Sequence, residues 1–269
     1  MKTKLKNDYR HLFLEKRLAY DGPPEKPEKQ TEAVRSPQEL MKGIETAVKN
    51  LEQGKGERFA LLTRIEALLT NSPWCDYFSP ELLTSLAQRK DIREAVMLNP
   101  HTPVTILAKY ANDSDKGVRE RIAMNPKTPG AVLAKLATDA DLETRLRVVD
   151  NPNLPLNVLI KLAGDAHEYV RWEVARQAKT PSGILAKLAN DTDAHVRGWV
   201  AANPKTLPDV LAKLAQDKAW DVRLEVARNP KTPPAALAKL ANDTDPNDLL
   251  GRVSTDAKHN PNYPKNEKK

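Results

Sequence analysis

The chain has 269 residues, 40% hydrophobic and 29% charged, which supports a folded core and excludes wholesale disorder. Its single cysteine, Cys75, excludes an intramolecular disulfide framework and any cluster held by several thiolates. The formal net charge of +7 sits mostly at the two ends: residues 91–248 hold 22 Lys+Arg against 21 Asp+Glu, a weak match to a nucleic-acid-binding domain.

Residues 1–20 interrupt their apolar positions with charge. They predict a short amphipathic segment through Leu5, Tyr9, Leu12 and Phe13 rather than a secretory signal. No uninterrupted apolar run is long enough to span a bilayer, so a reducing, cytoplasmic setting and no membrane partner are expected. Residues 21–36 (DGPPEKPEKQTEAVRS) predict a flexible linker. Residues 37–90 predict a helical N-terminal cap. Ser36-Pro37-Gln38-Glu39 forms a capping box before Leu40, Ile44, Val48 and Leu51, and Gly54 and Gly56 break that helix. A second helix carries Leu61, Leu62, Ile65, Leu68 and Leu69, and SPELLTSLAQRKD from Ser79 reads as half a repeat.

Residues 91–248 repeat with an unbroken period of 26. Arg93, Arg119, Arg145, Arg171, Arg197 and Arg223 fall in register, and so do the closing Asp113, Asp139, Asp165, Asp191, Asp217 and Asp243. Asn-Pro recurs between them except in the fourth copy, which has Gln177-Ala178. Each unit predicts two short helices. The first stops at Asn-Pro, because proline disfavours helical geometry in its predecessor, and is short enough to be partly 3₁₀. The second is expected to be N-capped by Thr128, with Pro129 as its first residue. Neither helix is stable alone at this length, so the units must stack into a solenoid. Residues 249–269 predict a half-repeat cap, through Asn260-Pro261, and a charged tail.

Copies such as VRERIAMNPKTPGAVLAKLATDAD and VRLEVARNPKTPPAALAKLANDTD resemble the leucine-rich repeat variant family. The resemblance implies an all-α fold: a right-handed solenoid of α and 3₁₀ helices, here six 26-residue units. One branch of that family carries an iron–sulfur centre on an N-terminal cysteine cluster. Cys75 alone cannot supply four ligands, so no cofactor is expected.

On a helical wheel the register arginine lies on the buried side of the first helix, so the arginine ladder is expected to pair with the Asp-x-Asp loops instead of binding phosphate. The second helix points Lys109, Lys135, Lys161, Lys187, Lys213 and Lys239 outward. These form a candidate anion-binding row, joined at the helix–helix turn by Lys127, Lys179, Lys205 and Lys231. Outward positions on the first helices vary between copies. Trp172 and Trp199, with Arg147, Arg176, Arg228, Leu146 and Leu224, make up the candidate partner-binding surface, since Trp and Arg are common interface anchors.

The five histidines show no metal-ligand spacing, and no phosphate loop or activated nucleophile is present. Trp172, Trp199 and Asp150 match the composition of helical-repeat alkylpurine DNA glycosylase sites without matching their motif. The sequence therefore points to a non-enzymatic protein-binding scaffold with no metal. Nucleic-acid binding through the lysine row is the alternative.

Overall fold

In a computed structural model, residues 78–264 are described continuously, with helical residues also at 42, 43, 46, 49, 50, 67, 69 and 70. The expected segments 1–20 and 21–36 lie outside the described residues. The chain divides into two units, residues 1–48 and 49–269, and the repeat array belongs to the second.

Among the described residues there are fourteen helices and no strand. Helix α1 (Pro80–Leu86) precedes helix pairs that run α2 (Arg93–Leu98) with α3 (Val104–Tyr110), α4 (Lys116–Met124) with α5 (Gly130–Leu136), and α6 (Leu142–Asp150) with α7 (Leu156–Leu162). The series continues with α8 (Glu168–Arg176) and α9 (Ser182–Leu188), α10 (Ala194–Ala202) and α11 (Pro208–Leu214), then α12 (Trp220–Arg228) and α13 (Pro234–Leu240). It closes on α14 (Arg252–His259), which takes the place of a first helix.

Both helices of a pair are α-helical along their length. The i→i+3 bonds expected within the first helix are confined to the ends and turns, as in Asn125 N–H to Ile122 O at 3.2 Å and Asp139 N–H to Leu136 O at 3.0 Å. First helices start where the second aspartate of Asp-x-Asp accepts a backbone N–H: Asp115 from Gly117, Asp141 from Thr144, and Asp193 from His195 and Val196. In α8, His167 Nδ1 takes over that task.

The second helix begins one residue later than the sequence suggests. Its N-cap is Pro129, and helix α5 opens at Gly130. Thr128 does not cap it. The Thr128 hydroxyl is buried and donates backward to Ile122 O at 2.5 Å, pinning the turn to the helix just ended. Thr180 and Thr232 do the same at Val174 O and Val226 O, both at 2.6 Å.

The asparagine of Asn-Pro does more than stop a helix. Its side chain is buried and reaches across to the preceding unit. Asn125 Nδ2 donates to Met97 O and Asn99 O at 2.6 and 2.9 Å, and Asn151 Nδ2 to Ala123 O and Asn125 O at 2.7 and 3.0 Å. Asn203, Asn229 and Asn260 repeat this, so α14 is joined to the array by the same device. Each Asn Oδ1 also accepts from the N–H two residues on; Lys205 N–H donates to Asn203 Oδ1 at 2.9 Å. Buried backbone carbonyls need such donors where the chain leaves a helix.

Between the two helical layers lie the valines, leucines and alanines of both, such as Val118, Ile122, Leu133 and Leu136. First helices pack closely on one another, whereas second helices pack on first helices and scarcely touch each other. The first helices thus form the tightly packed, inner layer of the array and the second helices the loosely packed, outer one.

Replacing Asn203 with alanine strips a buried carbonyl, Ala175 O, and a part-buried one, Gln177 O, of their donor. The expected loss is about 2 kcal/mol of unfolding free energy, read by urea denaturation of the full chain.

Candidate functional site

The register arginines form a spine through the loops. Arg119 donates to both carboxylate oxygens of Asp139 at 2.6 and 3.0 Å, and to the carbonyl of Asp113 at 2.8 Å. Arg145, Arg171, Arg197 and Arg223 repeat the fork on Asp165, Asp191, Asp217 and Asp243. Arg93 holds Asp113 with one nitrogen only and lies 4.4 Å from the centre of the Tyr110 ring. Each carboxylate closes the arginine's own unit, and the carbonyl comes from the loop before, so one guanidinium ties two successive loops. The donors are spent internally and the side chains are mostly buried, 8% exposed at both Arg197 and Asp217.

Burial alone would raise the carboxyls of Asp191 and Asp217, but the forks from Arg171 and Arg197 outweigh it and hold both below their ordinary value. At Asp243 the hydrogen bonds from Arg223 are the largest influence, in the same direction.

The inner layer shows which candidate partner-binding residues are accessible. Leu146 and Leu224 are not: they are 3% and 5% exposed, packed in the core, although the wheel places them outward. A neighbouring first helix covers that flank, which an isolated wheel omits. Arg147, Arg176 and Arg228 reach the surface, each paired with acid: Glu143 at 2.7 Å, Glu173 at 2.7 Å, and Asp256 at 2.8 Å with Glu225 at 3.2 Å.

Trp172 and Trp199 are half-buried and lie together, rings 6.4 Å apart and 18° from parallel. Tyr169 meets Trp172 edge-on at 5.1 Å, and His167 adjoins Tyr169 at 4.9 Å, so four rings from α8, its N-cap and α10 form one strip. Trp172 Nε1 is shut off from solvent and meets no acceptor.

Beside this strip the asparagine ladder breaks. Gln177 leaves the backbone carbonyls of the preceding unit and donates its amide to that unit's Asp150 Oδ1 and to Glu173 Oε1, at 3.0 and 3.1 Å. Lys179 Nζ donates to Asn151 O at 2.7 Å instead, filling one place an asparagine would take. Burial pulls the Lys179 ammonium below its usual pKa, and the charge on Asp150 partly restores it. Glu173, buried to 1%, gathers Arg176 and Gln177 on one oxygen. The ladder interruption is visible in the sequence at Gln177, but its linkage to Glu173, Asp150 and Lys179 is not.

The lysine row occupies the last turn of the second helices on the outer layer. Lys109, Lys135, Lys161, Lys187, Lys213 and Lys239 are all exposed. Asp209 is the one acid within those helices. Among the described residues no His, Cys, Asp and Glu side chains cluster as a metal site, and no helix is long and apolar enough to cross a membrane.

Two outcomes test these roles. Arg197→Met leaves Asp217 buried without its guanidinium and is expected to remove about 3–5 kcal/mol in chemical denaturation. Because folding depresses Asp191, Asp217 and Asp243, their contribution is complete above the unfolded carboxyl value near about pH 4 and disappears as pH falls through the lower folded values. Unfolding free energy measured against pH is thus expected to decline below about pH 4, with a shallower fall in Asp217→Asn. Separately, Gln177→Asn restores the ladder geometry and is expected to raise stability by about 1 kcal/mol, read as a higher denaturation midpoint.

Residues 220–245 match the family model described as leucine rich repeat variant. A solved structure described as a leucine-rich repeat variant with a novel repetitive structural motif is 26% identical, with a TM-score of 0.59, covering 83% of this chain and 88% of its own. An engineered protein of known crystal structure is 18% identical, with a TM-score of 0.37, covering 82% of this chain and 78% of its own. No curated protein matches. One unit of the array thus matches the leucine rich repeat variant model, and the helical-repeat fold is similar to that of a solved leucine-rich repeat variant.

Proposed function

We propose that this chain is a non-enzymatic interaction scaffold that binds a protein partner on its first-helix face, at Trp172 and Trp199. The observation that carries the reading is the aromatic strip. Two half-exposed tryptophans stack across adjacent units, beside Tyr169, on a face whose flanking arginines are charge-paired. Rigid aromatic side chains give large contact area at little entropic loss and are typical centres of binding energy. Arg176 and Arg147 at the rim contribute orientation, while the buried Leu146 and Leu224 belong to the core. The spine arginines are structural, since their donors are consumed by Asp and carbonyl oxygens. A cytoplasmic setting accords with the lone Cys75.

A second reading, nucleic acid on the opposite face, rests on the six exposed lysines of the second helices. The two are separated by affinity capture from lysate with the full-length chain, with and without nuclease. Trp199→Ala is expected to abolish retention of a protein partner, with nuclease and moderate salt having little effect. Retention lost instead on Lys135→Glu, Lys161→Glu and Lys187→Glu together, with steep salt dependence, would select the nucleic-acid reading.

A further inference from the structure

Adjacent second helices scarcely touch, so the side chains on their flanks decide what lies between them on the outer layer. A Cβ on Gly130 would stand 2.8 Å from Pro155 Cγ of the next unit, so the register position of Gly130 faces forward along the array. Leu156 holds that position in the third unit, and Ile160 follows one turn later on the same face of α7. The lysine of the row faces the other way, since Lys213 Nζ donates to Asn190 Oδ1 of the preceding unit. In the same register Lys187 leans back from α9 toward α7. Leu156, Ile160 and Lys187 therefore line one groove. Gly183 opens its α9 wall, because a Cβ there meets no atom within 4 Å.

Exposed apolar area and uncompensated charge together indicate what the groove accepts. Leu156 and Ile160 are 56% and 50% exposed. Where the third unit has Ile160 the other five have Ala108, Ala134, Ala186, Ala212 and Ala238, so stacking does not demand the larger side chain. The six second helices carry six lysines against one acid, Asp209. Among the described residues Lys116 takes a carboxylate partner and the six row lysines take none. The aspartates at the ends of α7 and α9 are already engaged: Arg145 holds Asp165, Arg171 holds Asp191, and Asp193 caps α10. Nucleic acid would meet the same lysines, but single strands are gripped through stacking on aromatic side chains. Tyr110, the one aromatic residue of these six helices, is overlain by Arg93. A phosphate backbone covers neither Leu156 nor Ile160.

We propose that the groove between α7 and α9 docks an acidic protein segment with aliphatic anchors. The anchors cover Leu156 and Ile160, and the carboxylates of the segment meet Lys187 and the neighbouring lysines of the row. This is a second surface, on the layer opposite the tryptophan strip, and it does not depend on that strip.

The test uses the full-length chain and a fluorescein-labelled dodecapeptide, three repeats of Leu-Glu-Glu-Leu, with anisotropy as readout at physiological ionic strength. The peptide is expected to bind. Its counterpart with glutamine for glutamate, and dodeca-glutamate without anchors, are each expected to bind about tenfold more weakly. Leu156→Ser combined with Ile160→Ala gives α7 the residues that α9 carries as Ser182 and Ala186. This pair is expected to weaken binding by about tenfold and leave the thermal midpoint unchanged, because both side chains stand half in water. Lys187→Glu weakens binding as well, whereas Trp199→Ala leaves it intact. Absence of peptide binding overturns the proposal, as does binding unaffected by the Leu156→Ser, Ile160→Ala pair. A dodecathymidylate that displaces the peptide and binds the paired variant as well as the parent chain selects nucleic acid and overturns it too. Peptide binding lost in Trp199→Ala overturns the outer-layer site and leaves the reading of the tryptophan strip standing.

Discussion

Every unit of this array must satisfy polar groups that its own two helices cannot. A seven-residue helix and a nine-residue helix joined by a tight turn expose orphan carbonyls, and stacking removes those carbonyls from water. Two periodic devices answer that requirement. The asparagine side chain donates to the carbonyls of the unit before, and the arginine fork spans two successive loops. Hydrophobic contact supplies most of the drive to stack, but it is permissive about register. The directional bonds fix how far one unit is displaced from the next.

The consequence is a division of labour between layers. Inner helices carry the arginine on their buried flank and are free to vary on the exposed one. The outer helices repeat almost unchanged, with one lysine at the end of each. Side chains on the inner face of adjacent units approach closely enough to act jointly, as Trp172 and Trp199 do. The outer lysines sit on helices that scarcely touch.

The fourth unit departs from the periodic pattern. There the asparagine gives way to Gln177, whose amide joins Glu173 and Asp150, while Lys179 bridges back to Asn151. The same unit supplies Trp172, and the next supplies a helical glycine that packing does not require. Three departures from the stabilising pattern fall together beside the aromatic strip, whereas the arginine fork continues through the region undisturbed. Local rules are relaxed in this stretch, and the neighbouring units hold the geometry.

The period, the helical character of both segments, the stop at Asn-Pro and the inward arginine were legible from residue spacing. Those properties belong to one helix or one turn, where local sterics and a helical wheel suffice. The sequence misplaced the start of the second helix. A threonine before proline satisfies local capping rules, and only the folded turn shows its hydroxyl reaching back to Ile122. It read Leu146 and Leu224 as outward, since a wheel contains no neighbour to bury them. The reach of the asparagines, the acid partners of Arg147, Arg176 and Arg228, and which layer is innermost were decided by tertiary structure alone. Each depends on atoms from another unit, and the displacement between units is set by packing that no single repeat contains.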